Sequence, residues 1–196
     1  MHRALRPIDA SAEGLVELAQ DATAPEGLLF HHANEGRPLA TPWQIAALRA
    51  QMVSQHDLPP GYVVDCACGS GIQLAAYGAM LQRPLLGVEL APERAQASAV
   101  NVRTVARHTR NSDETWYLGS HVVSGDGTDP EGVVATLPDT EVDVAFLHLD
   151  PARPRNSRTH ALEEMQPPLH RVLASWAPYF GKKNHPPSLL LDLSPR

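Results

Sequence analysis

From Gly61 onward, short apolar runs alternate with amphipathic segments, and no other feature constrains the fold as strongly. Residues 62–65, 85–89, 121–124, 142–149 and 188–193 read as strands, and residues 72–81, 92–106, 131–137 and 169–177 read as helices. A strand that returns through a helix runs parallel to its predecessor, and the crossovers cover both faces of the sheet. The expected fold class is therefore α/β: a doubly wound, Rossmann-like sheet of mostly parallel strands over residues 57–196. A helical extension is expected over residues 1–56. It contains a helix over 11–22 capped by Ser11, with Leu15, Val16, Leu18 and Ala19 at helical spacing. A second helix is expected over 43–55, with Thr41 as its cap and Pro42 in the first helical position. Its buried stripe is Ile45, Leu48, Met52 and Val53, and the loop between the two helices carries His31-His32. The chain stops just past its fifth strand, so a truncated domain, continued by a further C-terminal domain, is expected.

A chain of 196 residues with 43% hydrophobic content can bury a core without disulfides or metals. Its apolar runs fall far short of the roughly 20 residues of a membrane span. Met1-His2-Arg3-Ala4-Leu5-Arg6-Pro7 lacks the apolar stretch of a secretory leader. No membrane partner and a cytoplasmic location are therefore expected. A formal charge of −6 means that any nucleic-acid role rests on a local patch or another domain. Cys66 and Cys68 are two residues apart, poorly placed for a disulfide and too few for a zinc site, so reduced thiols are expected. His31-His32 lacks further ligands at metal spacing, which suggests exposed loop histidines and no metal.

Chemistry is concentrated where strands end. Asp65-Cys66-Ala67-Cys68-Gly69-Ser70-Gly71 joins the first strand to a helix, the position at which open parallel sheets bind ligands. Gly69 and Gly71 allow close approach of the backbone, and the helix start behind them favours negative charge. The third glycine of a dinucleotide loop would fall at Leu74, so a pyrophosphate fits less well. Glu89 ends the second strand, where a carboxylate can accept both hydrogen bonds of a ribose diol. Taken singly, these residues are also what caps and turns require.

An acidic residue followed by G-x-G resembles motif I of the class I S-adenosylmethionine-dependent methyltransferases. The resemblance implies S-adenosylmethionine as cofactor, bounded by Asp65, Cys66, Ala67, Gly69 and Gly71, with Glu89 on the ribose hydroxyls. Asp126 and Gly127, in Ser124-Gly125-Asp126-Gly127, would meet the adenine amino group. After the fourth strand, Asp150-Pro151-Ala152-Arg153 falls where amino-directed methyltransferases carry an acceptor, two prolines and an aromatic. Asp150 can orient the nucleophile, Pro151 can hold the turn, and Arg153 can stack its guanidinium in place of the missing aromatic. Residues 39–46 with Arg49-Ala50, and Glu164-Met165-Gln166-Pro167-Pro168-Leu169, resemble methyltransferases that carry a C-terminal THUMP-like domain, and more distantly trimethylguanosine synthase. That similarity covers residues 35–194 and implies an RNA substrate, tRNA or rRNA, methylated at a base nitrogen by direct in-line transfer. Arg153, Arg155 and Arg158 would then engage phosphates; alternatively, they pair with Glu163 and Glu164.

Other histidines fit less demanding roles. His148, between Leu147 and Leu149, reads as a hydrogen-bonded packing residue, and His160 as a loop residue able to act as a base. Uridine C5 methylation needs a cysteine nucleophile, and none stands at the fifth strand. The alternatives are a non-catalytic cofactor- or RNA-binding module of the same fold, and a small-molecule methyltransferase.

Overall fold

The alternation produces a parallel sheet whose two faces are both buried. A computed structural model of the chain describes residues 2–18, 21–33, 40–109, 115–152, 164–180 and 187–192. Strands β1 (Arg3–Leu5), β4 (Tyr62–Asp65), β5 (Leu85–Glu89), β6 (His121–Ser124), β7 (Val144–Leu149) and β8 (Leu189–Leu191) form one sheet in the order β1-β6-β5-β4-β7-β8. Every pairing is parallel except β1 on β6. Side chains alternate between faces along each strand. Val63, Leu85, Val122 and Phe146 enter the core beneath helices α2 (Ile72–Leu81) and α3 (Pro92–His108). Their neighbours Val64, Leu86, Val123 and Leu147 enter the opposite core, beneath α5 (Pro130–Val134) and α6 (Leu169–Trp176). These elements agree with the expected fold, apart from shifts of a few residues at their ends. Between α3 and β6 lies the short helix α4 (Thr115–Leu118), whose Trp116 packs against Gly78 on α2.

The first 56 residues differ more. Residues 11–18 are not helical: Ser11 Oγ accepts from Glu13 N in a local turn, and Gly14 takes φ +77°. Strand β2 (Val16–Glu17) then pairs antiparallel with β3 (His31–His32), and Leu18 N donates to Phe30 O at 2.7 Å. Burial of Leu28 and Phe30 rewards this pairing, and it outweighs the weak helical spacing. His31-His32 is thus a half-buried strand whose main chain is held by Asn101 at both Oδ1 and Nδ2, rather than an exposed loop.

Helix α1 (Trp43–Ser54) forms as expected but is capped from a distance. Pro42, not Thr41, is the N-cap residue. The free amides of the first turn donate to Asp21 Oδ2 (Trp43 N, 2.9 Å) and Thr23 Oγ1 (Gln44 N, 3.2 Å). Of the expected stripe only Val53 is buried, beside Ala46 and Ala50, while Ile45, Leu48 and Met52 are 40%, 53% and 54% exposed. Alanine lets the α1 backbone come close to α2, where Gln73 Nε2 donates to Ala46 O at 3.1 Å. Among the described residues no helix is long and apolar enough to cross a membrane.

Candidate active site

Because β4 to β8 are parallel, the residues that end them gather at one edge of the sheet. There they border a cleft of about 1030 Å³. Asp65, Cys66, Ala67, Gly69, Glu89, Asp126, Gly127, Asp150 and Pro151, all singled out from the sequence, line it. Gly71 lies behind the lining. A Cβ there would come within 2.1 Å of Ser98 Oγ, so this glycine, at φ +73°, lets the loop pack on α3. Gly69, at φ +53°, has no heavy atom within 4 Å of a Cβ position, so its free space belongs to the cleft. Arg153, Arg155, Arg158, His160 and Glu163 lie outside the described residues.

Asp65 is 2% exposed and already partnered. Its Oδ1 accepts from Ala67 N at 3.1 Å, which shapes the loop, and its Oδ2 lies 3.0 Å from His148 Nδ1. A carboxylate only accepts, so Nδ1 carries the hydrogen of that bond. Among the described residues Nε2 has no hydrogen-bond partner, although His148 is 1% exposed and lines the cleft. Among the described residues Tyr77 OH is buried without a partner too, its ring 5.4 Å from that of His148. Burial and the charge of Asp65 push the Tyr77 phenol far above its ordinary pKa, so it remains a donor. His148 is therefore the expected packing residue on one side only; its other nitrogen has no hydrogen-bond partner among the described residues.

Glu89 is 5% exposed and held by several donors. Oε1 accepts from Ala91 N and Arg94 Nε, both at 3.0 Å, with Arg94 Nη2 at 2.8 Å. Oε2 accepts from Gly69 N at 3.0 Å, tying the end of β5 to the glycine loop. Asp126 is exposed, and its Oδ1 accepts from both Thr128 N and Thr128 Oγ1 at 2.8 Å. Gly127 leaves no room for a side chain, since a Cβ would stand 2.1 Å from Cys66 O. Leu90, 73% exposed, directly follows β5 and lines the cleft with an apolar side chain.

Asp150 follows β7 beside a second cluster. Burial, then the charge of Asp192, raises its pKa, while His148 and Arg49 pull it down. Arg49, from α1, pairs with Asp192 at the end of β8 and donates to Gln73 Oε1 at 3.2 Å. The wall opposite is fixed by two backbone bonds of 2.9 Å between Ala152 and Gln166, and exposed His170 and Arg171 stand at the rim. Both cysteines are buried and free, and burial followed by the charge of Asp65 pushes each thiol well above its ordinary pKa. They are neutral, not nucleophilic.

Sequence reasoning missed His148, Leu90, Arg94 and Arg171 as cleft residues. The acidic glycine loop is a local signal, whereas these four reach the cleft through register and helix placement.

No protein-family model matches the chain, and no curated protein matches it. Solved structures do. The rRNA methyltransferase aviRa of Streptomyces viridochromogenes superposes with a TM-score of 0.52 at 20% identity, over 80% of this chain and 80% of that one. The chain shares the Rossmann-like α/β fold of that protein. A SAM-dependent methyltransferase of Agrobacterium tumefaciens matches with a TM-score of 0.51 at 12% identity, over 90% of this chain and 52% of that chain. A Porphyromonas gingivalis protein described as a methyltransferase gives a TM-score of 0.48 at 18% identity, over 72% of this chain, which spans only 30% of it. In this fold the cleft lies at the carboxyl ends of the strands, where open α/β sheets take ligands.

Proposed function

We propose that the chain binds S-adenosylmethionine in this cleft and transfers its methyl group to a base nitrogen of RNA. One observation carries the reading. The acidic residues Asp65, Glu89, Asp126 and Asp150, each at or just beyond the end of a different parallel strand, line one cleft beside a glycine with open space in front of it.

The groups present suit that ligand. Glu89 Oε2 accepts only from Gly69 N among the described residues, and Asp126 Oδ2 points from an exposed side chain, so each retains acceptor capacity. When bound, the cofactor supplies an electrophilic methyl on a sulfonium. Glu89 would accept from the ribose hydroxyls, Asp126 from the adenine amine, and Leu90 would cover the adenine ring. Asp65 shapes the loop while held by His148. Asp150 would accept an N–H of the incoming base and orient its nitrogen, so that rate comes from positioning more than from acid–base work. Exposed Arg171 and His170 at the rim suit a polyanionic substrate, as do Arg153, Arg155 and Arg158 in the sequence, and aviRa by its name acts on rRNA. A C-terminal THUMP-like domain would supply the positive surface that an acidic chain lacks.

Calorimetric titration with S-adenosylhomocysteine tests the cofactor. Micromolar binding that Asp126→Ala weakens tenfold or more is expected, since Asp126 is exposed and among the described residues bonds only within its own turn. No binding by the wild type would overturn the reading. Incubation with a methyl-labelled cofactor and total RNA tests the substrate; label in protein or small molecules, and never in RNA, refutes it.

A further inference from the structure

The opposite end of the sheet carries a separate pocket. Strand β1 lies antiparallel on β6, with Leu5 opposite Val122, and beyond it the chain turns through Pro7–Asp9. Where β6 begins, these segments and the stretch after α5 enclose about 380 Å³, lined by Arg3, Arg6, Asp9, His121, Thr136 and apolar neighbours. That volume falls within the range of small-ligand sites.

Positive charge predominates in it. Arg3 and Arg6 are exposed, and among the described residues neither guanidinium has an ion-pair partner. His121 is 5% exposed, and its Nδ1 is buried without a hydrogen-bond partner among the described residues. Leaving a buried imidazole nitrogen unpaired costs about 1–3 kcal/mol, which an incoming acceptor recovers when Nδ1 carries the hydrogen. Thr136 Oγ1 already donates to Val133 O at 2.7 Å, so its lone pairs can accept a phosphate O–H. Asp9 is the opposing charge; it leaves the lining with a surplus of one positive charge even when His121 is neutral. Two planar guanidinium forks beside a buried, unpartnered imidazole nitrogen can grip the oxygens of phosphate bidentately, which a halide cannot match.

We propose that this pocket binds a phosphate group, through Arg3, Arg6 and Nδ1–H of His121. It lies at the amino ends of the parallel strands, away from the cleft, and does not depend on the methyltransferase reading. The phosphate comes either from a free anion or from a nucleic-acid backbone, and the two sources separate by experiment.

The test follows the His121 ring nitrogens by nitrogen-15 NMR while inorganic phosphate is added to the whole chain, with chloride at matched ionic strength as control. A saturable shift with phosphate and none with chloride is expected. Arg3→Gln with Arg6→Gln, both exposed and without ion-pair partners among the described residues, should weaken it tenfold or more, and Asp9→Asn should tighten it. A short RNA oligonucleotide that displaces the phosphate assigns the site to backbone phosphates; one that does not assigns it to a free anion. No saturable shift, an equal response to chloride, or a shift unchanged in the double variant overturns the proposal.

Discussion

The Asp65–His148 pair makes a quantitative prediction. Both residues are nearly sealed from solvent, at 2% and 1% exposure, and the Asp65 carboxylate takes two donors: Ala67 N at 3.1 Å and His148 Nδ1 at 3.0 Å. Asp65→Ala strands both. Losing a hydrogen bond to a charged group costs about 1.5–3 kcal/mol, and a stranded backbone N–H costs about 1–3 kcal/mol more. Relaxation and water entry reduce that sum, so the expected loss at neutral pH is about 3–5 kcal/mol, the usual cost of removing one partner of a buried pair. Asp65→Asn behaves differently. The amide oxygen still accepts from Ala67 N while its NH2 donates to Nδ1, moving the ring hydrogen to Nε2, and the loss falls to about 1–2 kcal/mol. Urea unfolding followed by tryptophan fluorescence measures both variants, because Trp116 and Trp176 are buried at 3% and 0% exposure. If Ala and Asn variants lie within about 0.5 kcal/mol of each other, the error expected for independent sites, the pair does not hold the loop and the reasoning fails.

Four further changes separate local causes. Gly71→Ala meets Ser98 Oγ at 2.1 Å and Cα at 2.8 Å from a φ of +73°, so strain and overpacking should cost about 2–4 kcal/mol in chemical denaturation. Gly69→Ala, in open space at φ +53°, should cost only about 1–2 kcal/mol while weakening S-adenosylhomocysteine in calorimetry; equal destabilisation of the two variants would contradict this. Asp150 has a raised pKa, caused first by burial and then by Asp192, so the folded state binds its proton more tightly than the unfolded state. Stability from this group is therefore lost as pH rises from the unfolded value through the folded one, and Asp150→Asn should be more stable than wild type above that window and no more stable below it. Urea titrations at pH 2.5 and pH 8, on either side of that window, measure the difference. Asp21 has a lowered pKa, chiefly because Trp43 N donates to it, so its contribution is present above the unfolded value and lost as pH falls through the lower folded one. Asp21→Ala should cost about 1 kcal/mol at pH 7 by uncapping α1; a loss that persisted unchanged at pH 2 would point to a cause other than the charge.

What could be read from the sequence follows from local rules. Val63-Val64, Leu85-Leu86, Val122-Val123 and Phe146-Leu147 each send one side chain to either face, so continuous apolar runs between helices already imply a parallel sheet covered on both sides. Once the strands are parallel, Asp65, Glu89, Asp126 and Asp150 must share an edge, whatever the packing details. The remainder depended on partners distant in sequence. Arg3-Ala4-Leu5 is too short to show a period, and becomes a strand only because β6 offers an open edge. The helical spacing at residues 11–18 yielded to pairing with His31-His32, and Ile45, Leu48 and Met52 lost the buried face of α1 to alanines small enough to approach α2. His148 meets Asp65 because the register of β7 on β4 sets them side by side across 83 positions of chain. Local periodicity thus determined which segments are strands and which residues end them. Register and close packing, which arise only when the segments meet, decided which of those residues are paired, which are left open, and where the chain has polar groups to offer a ligand.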